Sequence, residues 1–251
     1  MSGRVAIVGL GPGSAEWMTP EASAAIASAS DVVGYGPYLD RLGLRGDQRA
    51  HASDNRQEME RARLALKLAA EGRAVAVVSG GDPGVFAMAA AVFEAIEEAP
   101  EWRRLDIAVA PGVTAMQAAA ARLGAPLGHD FCAISLSDNL KPWAIVERRL
   151  HAAAEGDFVI ALYNPASRAR PARIGDAFAL LRGLKAPATP VAFARAVGRP
   201  GESVRLTTLG EADPSLADMA TLIVIGSSET RFIEGGARPW MLTPRAYGAR
   251  R

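Results

Sequence analysis

Three glycine-rich segments are the parts of this chain best suited to holding a small molecule. The first is residues 9–13, Gly-Leu-Gly-Pro-Gly, which follow an apolar run that begins at Arg4. Its glycines carry no side chain and can adopt positive φ, so the backbone can approach a ligand closely. Thr19 followed by Pro20 predicts a helix N-cap and the first residue of that helix. We therefore expect a ligand-binding loop between a strand and a helix.

Two other interpretations of the first segment stay open: a dinucleotide-binding fingerprint and a purely structural tight turn. The fingerprint G-x-G-x-x-G has a third glycine where this chain has Ser14, and Pro12 removes a backbone N–H that a pyrophosphate would use. An acidic residue should also end the second strand of such a unit, whereas Asp31 stands before the apolar run of residues 32–35. These departures disfavour an NAD(P)-dependent oxidoreductase, which remains the alternative from a different enzyme class.

The second and third glycine segments each follow a strand-like run. Residues 79–86 read Ser-Gly-Gly-Asp-Pro-Gly-Val-Phe, and residues 110–114 read Ala-Pro-Gly-Val-Thr. Either segment alone is a common turn. Open α/β sheets bind ligands outside the carboxyl ends of their strands, so three such loops predict one binding edge.

The composition excludes several functional classes. The 28 basic and 27 acidic residues give a net charge of +1, too balanced for a protein that binds phosphate backbones. The single cysteine, Cys132, cannot form an intramolecular disulfide or hold an iron–sulfur cluster, and the 3 scattered histidines do not indicate a zinc site. No apolar run approaches the length of a membrane span and no signal sequence is evident, so we expect a cytoplasmic protein.

Short apolar runs and alanine-rich amphipathic stretches alternate along the chain, which is typical of an α/β protein. We predict strands at residues 5–8, 31–34, 74–79, 106–110, 131–135, 158–162, 190–194 and 222–226. We predict helices at residues 20–29, 57–71, 86–99, 114–123, 142–154 and 171–184, the second of them ended by Gly72. A break at Pro111-Gly112 is the predicted domain boundary.

The order and spacing of these motifs resemble those of the tetrapyrrole methylases, a family that uses S-adenosylmethionine. The resemblance is carried by residues 9–13, 80–83 and 111–115. Two further stretches, residues 128–138 and 162–165, resemble members that act in corrin biosynthesis. The likeness covers nearly the whole chain.

The resemblance implies an α/β fold of two α/β domains, each with its own mixed sheet, and a ligand cleft between them. Residues 1–111 would carry the tetrapyrrole and cofactor loops, and residues 112–251 would bind cofactor and make the contacts of a homodimer. S-Adenosyl-L-methionine would be the methyl donor, with no metal or iron–sulfur cluster of the protein's own. The substrate would be precorrin-3B or a close corrin intermediate, metal-free or cobalt-bearing. It would be methylated at C-17 and its macrocycle contracted to give precorrin-4.

The resemblance implies that the matching positions of this chain contact the cofactor, many of them through the backbone. They are Pro12, Gly80, Gly81, Asp82, Val85, Thr114, Ala115, Asn164 and Ala196. The donor's sulfonium is a cation, and Asp82 is the fixed charge that the three loops offer to it. Residues 193–198 depart from the Asn-Ala-Gly that the family would have there, and Ser14 replaces a frequent aspartate.

Methylation of an electron-rich carbon depends mainly on alignment, but ring contraction removes a proton and needs a base. We predict His129 as the leading base because histidine is the residue type best suited to proton transfer near neutral pH. Asp138, in a possible loop of hydroxyls, and Tyr163, at the end of a strand, are the other catalytic candidates. The structural alternatives are a histidine satisfied within its loop, an aspartate that caps a helix, and a packed tyrosine. A pocket that binds ligand without turnover would indicate a non-catalytic regulator instead.

A corrin precursor bears many carboxylates, so basic side chains would bind it. The residues we name for this are Arg41, Arg45, Lys141, Arg168, Arg170 and Arg195, each with solvated surface as the alternative. Cys132 is interpreted as a small core residue. The last basic residues are interpreted as a solvated, frayed terminus; they are Arg238, Arg245, Arg250 and Arg251.

Overall fold

The computed structural model describes residues 3–167, 171–235 and 238–248. The chain divides into two compact units, Met1–Ala115 and Met116–Arg251. This division comes shortly after the break predicted at Pro111-Gly112. Outside the described residues lie two predicted substrate-binding residues and two residues of the basic terminus, namely Arg168, Arg170, Arg250 and Arg251.

Among the described residues, the first unit has a sheet of five strands. They are β1 (Arg4–Gly9), β2 (Asp31–Tyr35), β3 (Arg49–Ser53), β4 (Ala74–Ser79) and β5 (Asp106–Ala110), in the spatial order β3-β2-β4-β1-β5. The α/β class is confirmed, but this sheet is wholly parallel rather than mixed, because each strand is followed by a crossover that returns the chain to the same edge. The carboxyl ends of β4, β1 and β5 therefore lie side by side.

Helices cover both faces of the first sheet. They are α1 (Pro20–Ser28), α2 (Gly36–Leu39), α3 (Glu58–Ala70) and α4 (Met88–Glu98), with 3-10 turns at Ala15–Trp17 and Pro100–Arg104. Ile7 of β1 belongs to the apolar cluster that includes Leu66 of α3 and Val92 of α4. Its neighbour Val8 faces the other way, into the cluster that includes Ile26 of α1. Burial on both faces explains why β1 is a nearly continuous apolar run.

Two helix ends predicted from the sequence are confirmed. Thr19 is the N-cap of α1, its hydroxyl oxygen accepting a hydrogen bond from the Ala22 N–H at 3.1 Å, and Pro20 is the first helical residue. Gly72 follows α3 with a φ of +88°, the left-handed conformation that commonly ends a helix.

The second unit contains a mixed sheet and a smaller one. The elements are α5 (Ala115–Leu123), β6 (Gly124–Ala125), β7 (Phe131–Ser135), α6 (Trp143–Glu155), β8 (Val159–Tyr163), α7 (Arg173–Arg182), β9 (Pro190–Arg195), β10 (Ser203–Thr208), β11 (Thr221–Ile225), β12 (Arg231–Ile233) and β13 (Trp240–Leu242). The main sheet has the order β10-β9-β11-β8-β7, and the small one β12-β13-β6. No helix in the described ranges is long and apolar enough to cross a membrane.

Three strands of the main second sheet point in the same direction. β7 pairs in parallel with β8, and both β8 and β9 pair antiparallel with β11. The carboxyl ends of β7, β8 and β9 consequently share one edge of this sheet.

The sequence did not predict β3, β10 or the small sheet. β3 reads Arg-Ala-His-Ala-Ser and has no β-branched residue, and β10 mixes an arginine into a half-exposed strand. Both lie at the edge of a sheet, where a strand has a neighbour on one side only. These two edge strands therefore lack the apolar run that marked the predicted strands.

Candidate functional site

The first two glycine loops are joined by backbone hydrogen bonds at the carboxyl edge of the first sheet. The Gly11 N–H donates to the Gly81 carbonyl oxygen at 3.1 Å, and the Gly81 N–H donates to the Gly11 carbonyl oxygen at 2.9 Å. The Leu10 N–H also donates to the Ser79 carbonyl oxygen at 2.9 Å. These bonds extend the pairing of β1 with β4 beyond the strands and bring the two loops together, as the sequence predicted.

The third loop packs against the other two through glycine backbone. A Cβ on Gly112 would lie 2.2 Å from the Gly81 carbonyl oxygen, and a Cβ on Gly9 would lie 2.6 Å from the Gly112 nitrogen. Gly11 and Gly81 have φ values of +68° and +71°, which L side chains rarely adopt. The packing of the loops therefore requires these glycines.

The carboxylate of Asp82 ties the second loop to the third. Its Oδ1 accepts a hydrogen bond from the Gly84 N–H at 2.8 Å, and its Oδ2 accepts one from the Gly112 N–H at 3.0 Å. Thr19 adds a further link, since its hydroxyl donates to the Pro111 carbonyl oxygen at 3.1 Å. Asp82 thus has a structural task in addition to the charge that the sequence suggested for it.

A space beside Gly81 is bordered by the third loop. A Cβ built on Gly81 would meet the Thr114 Cα at 3.8 Å and the Ala115 nitrogen at 3.9 Å, which are ordinary contact distances. Thr114 is buried, and Ala115 is the first residue of α5. Three of the predicted cofactor residues, Gly81, Thr114 and Ala115, therefore border one space.

Side chains from the segment after β2 contact the first two loops. A Cβ on Gly80 would lie 2.7 Å from the Tyr38 ring, so the glycine leaves room for that ring. The Arg41 guanidinium donates from Nη2 to the Gly13 carbonyl oxygen at 2.7 Å and lies 5.8 Å from the centre of the Tyr38 ring. The structure thus places Arg41, predicted as a substrate-binding residue, at the first loop. The predicted cofactor residues Pro12 and Val85 are half-buried in the same loops.

The other described residues that were predicted to bind substrate have protein partners. Arg45 pairs with Asp47 at 3.0 Å, and Arg195 pairs with Asp218 at 2.8 Å. Lys141 donates from Nζ to the Ser137 carbonyl oxygen at 2.7 Å. Surface ion pairs of this kind contribute little to stability.

The carboxyl edge of the second sheet carries two strained residues. Asn164, directly after β8, has a φ of +52°, and Ala196, directly after β9, has a φ of +50°. Non-glycine residues in this conformation are uncommon and cluster at functional sites. Asn164 also donates from Nδ2 to the Oγ of Ser135, the last residue of β7, at 2.9 Å. Both predicted cofactor residues of the second unit therefore lie at the same edge of one sheet.

The hydroxyl of Tyr163 caps the start of α5. It accepts a hydrogen bond from the Met116 N–H at 3.0 Å. Met116 is the second residue of α5, and the first N–H groups of a helix have no partner within the helix. The Tyr163 hydroxyl therefore supplies a partner for one of these N–H groups.

Asp138 lies in the loop after β7 and forms an ion pair with Arg173 at the start of α7. The Asp138 Oδ2 accepts a hydrogen bond from the Arg173 Nε–H at 2.8 Å and lies 2.7 Å from the Arg173 Nη2. Hydrogen bonds from Arg173 to Asp138 raise the pKa of the guanidinium above its ordinary value. Arg173 also lies 4.6 Å from the centre of the Trp143 ring. This pair links the loop after β7 to the start of α7, and no sequence motif marks it.

His129 lies at the opposite end of β7 from Ser135 and Asp138. The strand covers about 13 Å at the usual rise per residue. The Nδ1 of His129 accepts a hydrogen bond from the Asp130 N–H at 2.8 Å. The centre of the His129 ring lies 4.8 Å from the centre of the Tyr247 ring. The strand predicted at residues 131–135 is present as β7 and separates His129 from Asp138.

Asp31 and Cys132, both considered in the sequence analysis, have structural roles. Asp31 is fully buried and accepts hydrogen bonds from Arg73 at 2.6 Å and His51 at 2.7 Å, so it is not available to a ribose. Burial alone would raise the pKa of Asp31, but hydrogen bonds from His51, Ser30 and Arg73 hold it below its ordinary value. Burial raises the pKa of Cys132 to about 11, so the thiol stays protonated.

Comparisons with known proteins point to one family. The family model described as Tetrapyrrole (Corrin/Porphyrin) Methylases matches residues 4–213. A precorrin-3B C(17)-methyltransferase of Sinorhizobium sp is 59% identical over 249 residues, which cover 98% of each chain. A probable cobalt-factor III C(17)-methyltransferase of Salmonella typhimurium is 43% identical and covers 97% of this chain and 99% of its own.

The solved structures give the same result. A crystal structure of the methyltransferase CobJ superposes with a TM-score of 0.93 at 51% sequence identity, covering 97% of this chain and 100% of the other. Neither the family model nor these relatives support an oxidoreductase. The chain belongs to the tetrapyrrole (corrin/porphyrin) methylases.

Proposed function

We propose that this methyltransferase transfers a methyl group from S-adenosylmethionine to C-17 of precorrin-3B and couples the transfer to ring contraction that gives precorrin-4, in cobalamin biosynthesis. The observation that carries the proposal is the 59% identity, over 98% of each chain, with a relative of that named activity. The second candidate substrate is the cobalt-bearing equivalent, which the 43% identity with the Salmonella relative supports. An NAD(P)-dependent oxidoreductase has no such support.

The loops of the first unit fit a ligand that is bound largely through backbone. The space beside Gly81 would be filled by a side chain there, and Gly81 and Gly112 present backbone rather than side chains to their neighbours. When bound, S-adenosylmethionine supplies an electrophilic methyl group. The proposed contacts are Pro12, Gly80, Gly81, Asp82, Val85, Thr114, Ala115, Asn164 and Ala196. We propose no metal or iron–sulfur cluster of the protein's own.

For the methyl transfer, the proposed work of the chain is positioning. Alignment of two reactants in a bound complex can supply about 7–11 kcal/mol of the barrier. The hydrogen bonds between Gly11 and Gly81 and the two contacts of Asp82 fix the loops that would hold the donor. Tyr163 fixes the start of α5 through Met116.

For the ring contraction, the proposed work is removal of a proton, and we propose Asp138 as the base ahead of His129. Asp138 lies at the carboxyl edge that also carries Asn164, whereas His129 lies at the other end of β7. The ion pair with Arg173 fixes the position of the Asp138 side chain, whose carboxylate oxygens are groups that can accept a proton. Tyr163 is proposed as a positioning residue for the start of α5.

Calorimetry followed by turnover tests the proposed function. We expect S-adenosylhomocysteine to bind with micromolar affinity and NADH to show no heat, because the loops lack the third fingerprint glycine. With S-adenosylmethionine and precorrin-3B, the ultraviolet–visible spectrum and carbon NMR at C-20 should report a methylated, contracted product. Micromolar binding of NADH without binding of S-adenosylhomocysteine would contradict the proposal, and faster turnover of the cobalt-bearing substrate would select the second candidate.

We also propose that the enzyme is a homodimer that acts in the cytoplasm. The dimer rests on the family resemblance. Light scattering at micromolar concentration should give twice the chain mass of 26.3 kDa, and a mass of one chain would contradict it.

A further inference from the structure

Arg61 is a buried cation in the first unit. It lies on α3 and is 5% exposed. Its Nε donates to the Ser53 hydroxyl at 2.8 Å, its Nη2 to the Asp54 carbonyl oxygen at 2.9 Å, and its Nη1 to the Met88 sulfur at 3.2 Å. All three acceptors are uncharged, and a thioether is a weak one.

In the described part of the chain, Arg61 has no carboxylate within ion-pair distance, although other buried charges are paired. Asp31 is bound by Arg73, and Lys185, whose side chain is 4% exposed, is bound by Asp157. Burial lowers the pKa of Arg61, and Glu58 on the same helix offsets this only in part. A buried charge normally has a charged partner, because desolvation of an ion is costly. Among residues 3–167, 171–235 and 238–248, no carboxylate pairs with Arg61.

The position of Arg61 connects it to the proposed cofactor loops. Ser53 is the last residue of β3, so the guanidinium lies at the carboxyl edge of the first sheet. Met88 is the first residue of α4, which follows the loop that carries Gly80. Tyr38, whose ring occupies the space beside Gly80, also interacts electrostatically with Arg61.

The donors that Arg61 retains suit a carboxylate. A guanidinium has five N–H groups, and three are used, which leaves one N–H on each terminal nitrogen. Two terminal N–H groups form the parallel pair of hydrogen bonds by which arginine binds a carboxylate. We propose that Arg61 binds a ligand carboxylate at this edge, either that of the methyl donor or one of the tetrapyrrole. This inference rests on the proposed function, because both reactants then carry carboxylates.

Replacement of Arg61 by methionine tests the proposal. Loss of the pair of charge-assisted hydrogen bonds should raise the dissociation constant of S-adenosylhomocysteine or the KM for precorrin-3B about 10–100-fold. The melting temperature should not fall, because the substitution also removes an unpaired buried charge. Arg63→Met is the matched control, since Arg63 lies on the same helix, is exposed, and pairs with Glu98 at 2.6 Å. Its binding and kinetic constants should equal those of the wild type.

The two carboxylate sources are separated by a second ligand. Methylthioadenosine has the adenosine and sulfur of the donor but no carboxylate. If Arg61 binds the donor, Arg61→Met raises the dissociation constant of S-adenosylhomocysteine and leaves that of methylthioadenosine unchanged. If Arg61 binds the tetrapyrrole, only the KM for precorrin-3B rises.

A lower melting temperature with both constants unchanged would overturn the inference and make Arg61 a purely structural residue. Should the methionine variant fail to fold, Arg61→Lys keeps the charge and removes the planar pair of donors. Arg61→Lys should raise the dissociation constant of S-adenosylhomocysteine or the KM for precorrin-3B. Wild-type values of both constants would again overturn the inference. Failure of the proposed function is distinguishable, because the wild-type protein would then bind neither S-adenosylhomocysteine nor precorrin-3B.

Discussion

Asp138→Asn should leave methyl transfer close to the wild-type rate and slow ring contraction by about 10²–10⁴-fold, the usual cost of removing a general base. The amide has the shape of the carboxylate and keeps an oxygen for Arg173, but it cannot take up a proton. The variant should accumulate a methylated product with an intact macrocycle. Because contraction need not change the mass, the ultraviolet–visible spectrum and carbon NMR at C-20 must be measured.

Asp176→Asn is the matched control for this variant. Asp176 shares Arg173 with Asp138, at 3.2 Å from Nη1, but it is part of α7 and is more exposed. An equal loss of contraction in both variants would mean that Asp138 only anchors Arg173. Accumulation of uncontracted product in His129→Ala, and not in Asp138→Asn, would return the role of base to the histidine.

Gly81→Val should lower the affinity for S-adenosylhomocysteine by about 100-fold or more, since a strained backbone and a steric overlap each cost about 1–3 kcal/mol. The φ of +71° is unfavourable for a β-branched residue, and the side chain would enter the space that Thr114 and Ala115 border. The loop must then move away from Gly11, to which it is hydrogen-bonded. Calorimetry with S-adenosylhomocysteine measures the loss.

Gly72→Val separates strain from occlusion of the ligand. Gly72 precedes β4 and Gly81 follows it, and both have a left-handed φ, of +88° and +71°. The control should lower the melting temperature by a comparable amount and leave the affinity unchanged. If Gly72→Val lost as much affinity as Gly81→Val, the effect would be one of stability, and the second loop would not lie at the ligand.

The parts of the site that the sequence predicted are those with local signals. Glycines after apolar runs indicated the three loops, and Thr19-Pro20 indicated the start of α1, because each signal lies within a few residues. The edge strand β3 lacked such a signal, since its alanines and His51 have no strand pattern. The same local reasoning identified most of the buried strands.

The contacts between distant residues were not predictable from one sequence. Asp138 meets Arg173 35 positions later, and Tyr163 meets Met116 47 positions earlier, and nothing local marks either pair. The separation of His129 from Asp138 did have a local signal, because the apolar run that predicted β7 lies between them. Arg61 did have a signal: at helical spacing it shares the buried side of α3 with Ala65 and Leu68.

The two hydrogen bonds of Asp82 have a consequence for how a ligand is received. A free loop loses about 1–2 kcal/mol of conformational entropy for each residue that becomes ordered. The carboxylate of Asp82 orders its own loop through Gly84 and the next loop through Gly112, by hydrogen bonds within the protein. That entropy is therefore lost when the protein folds and not when the ligand arrives. The edge of the first sheet is preorganised. Little of the free energy gained from contacts with a ligand is therefore needed to order the loops, and the affinity is higher for that reason.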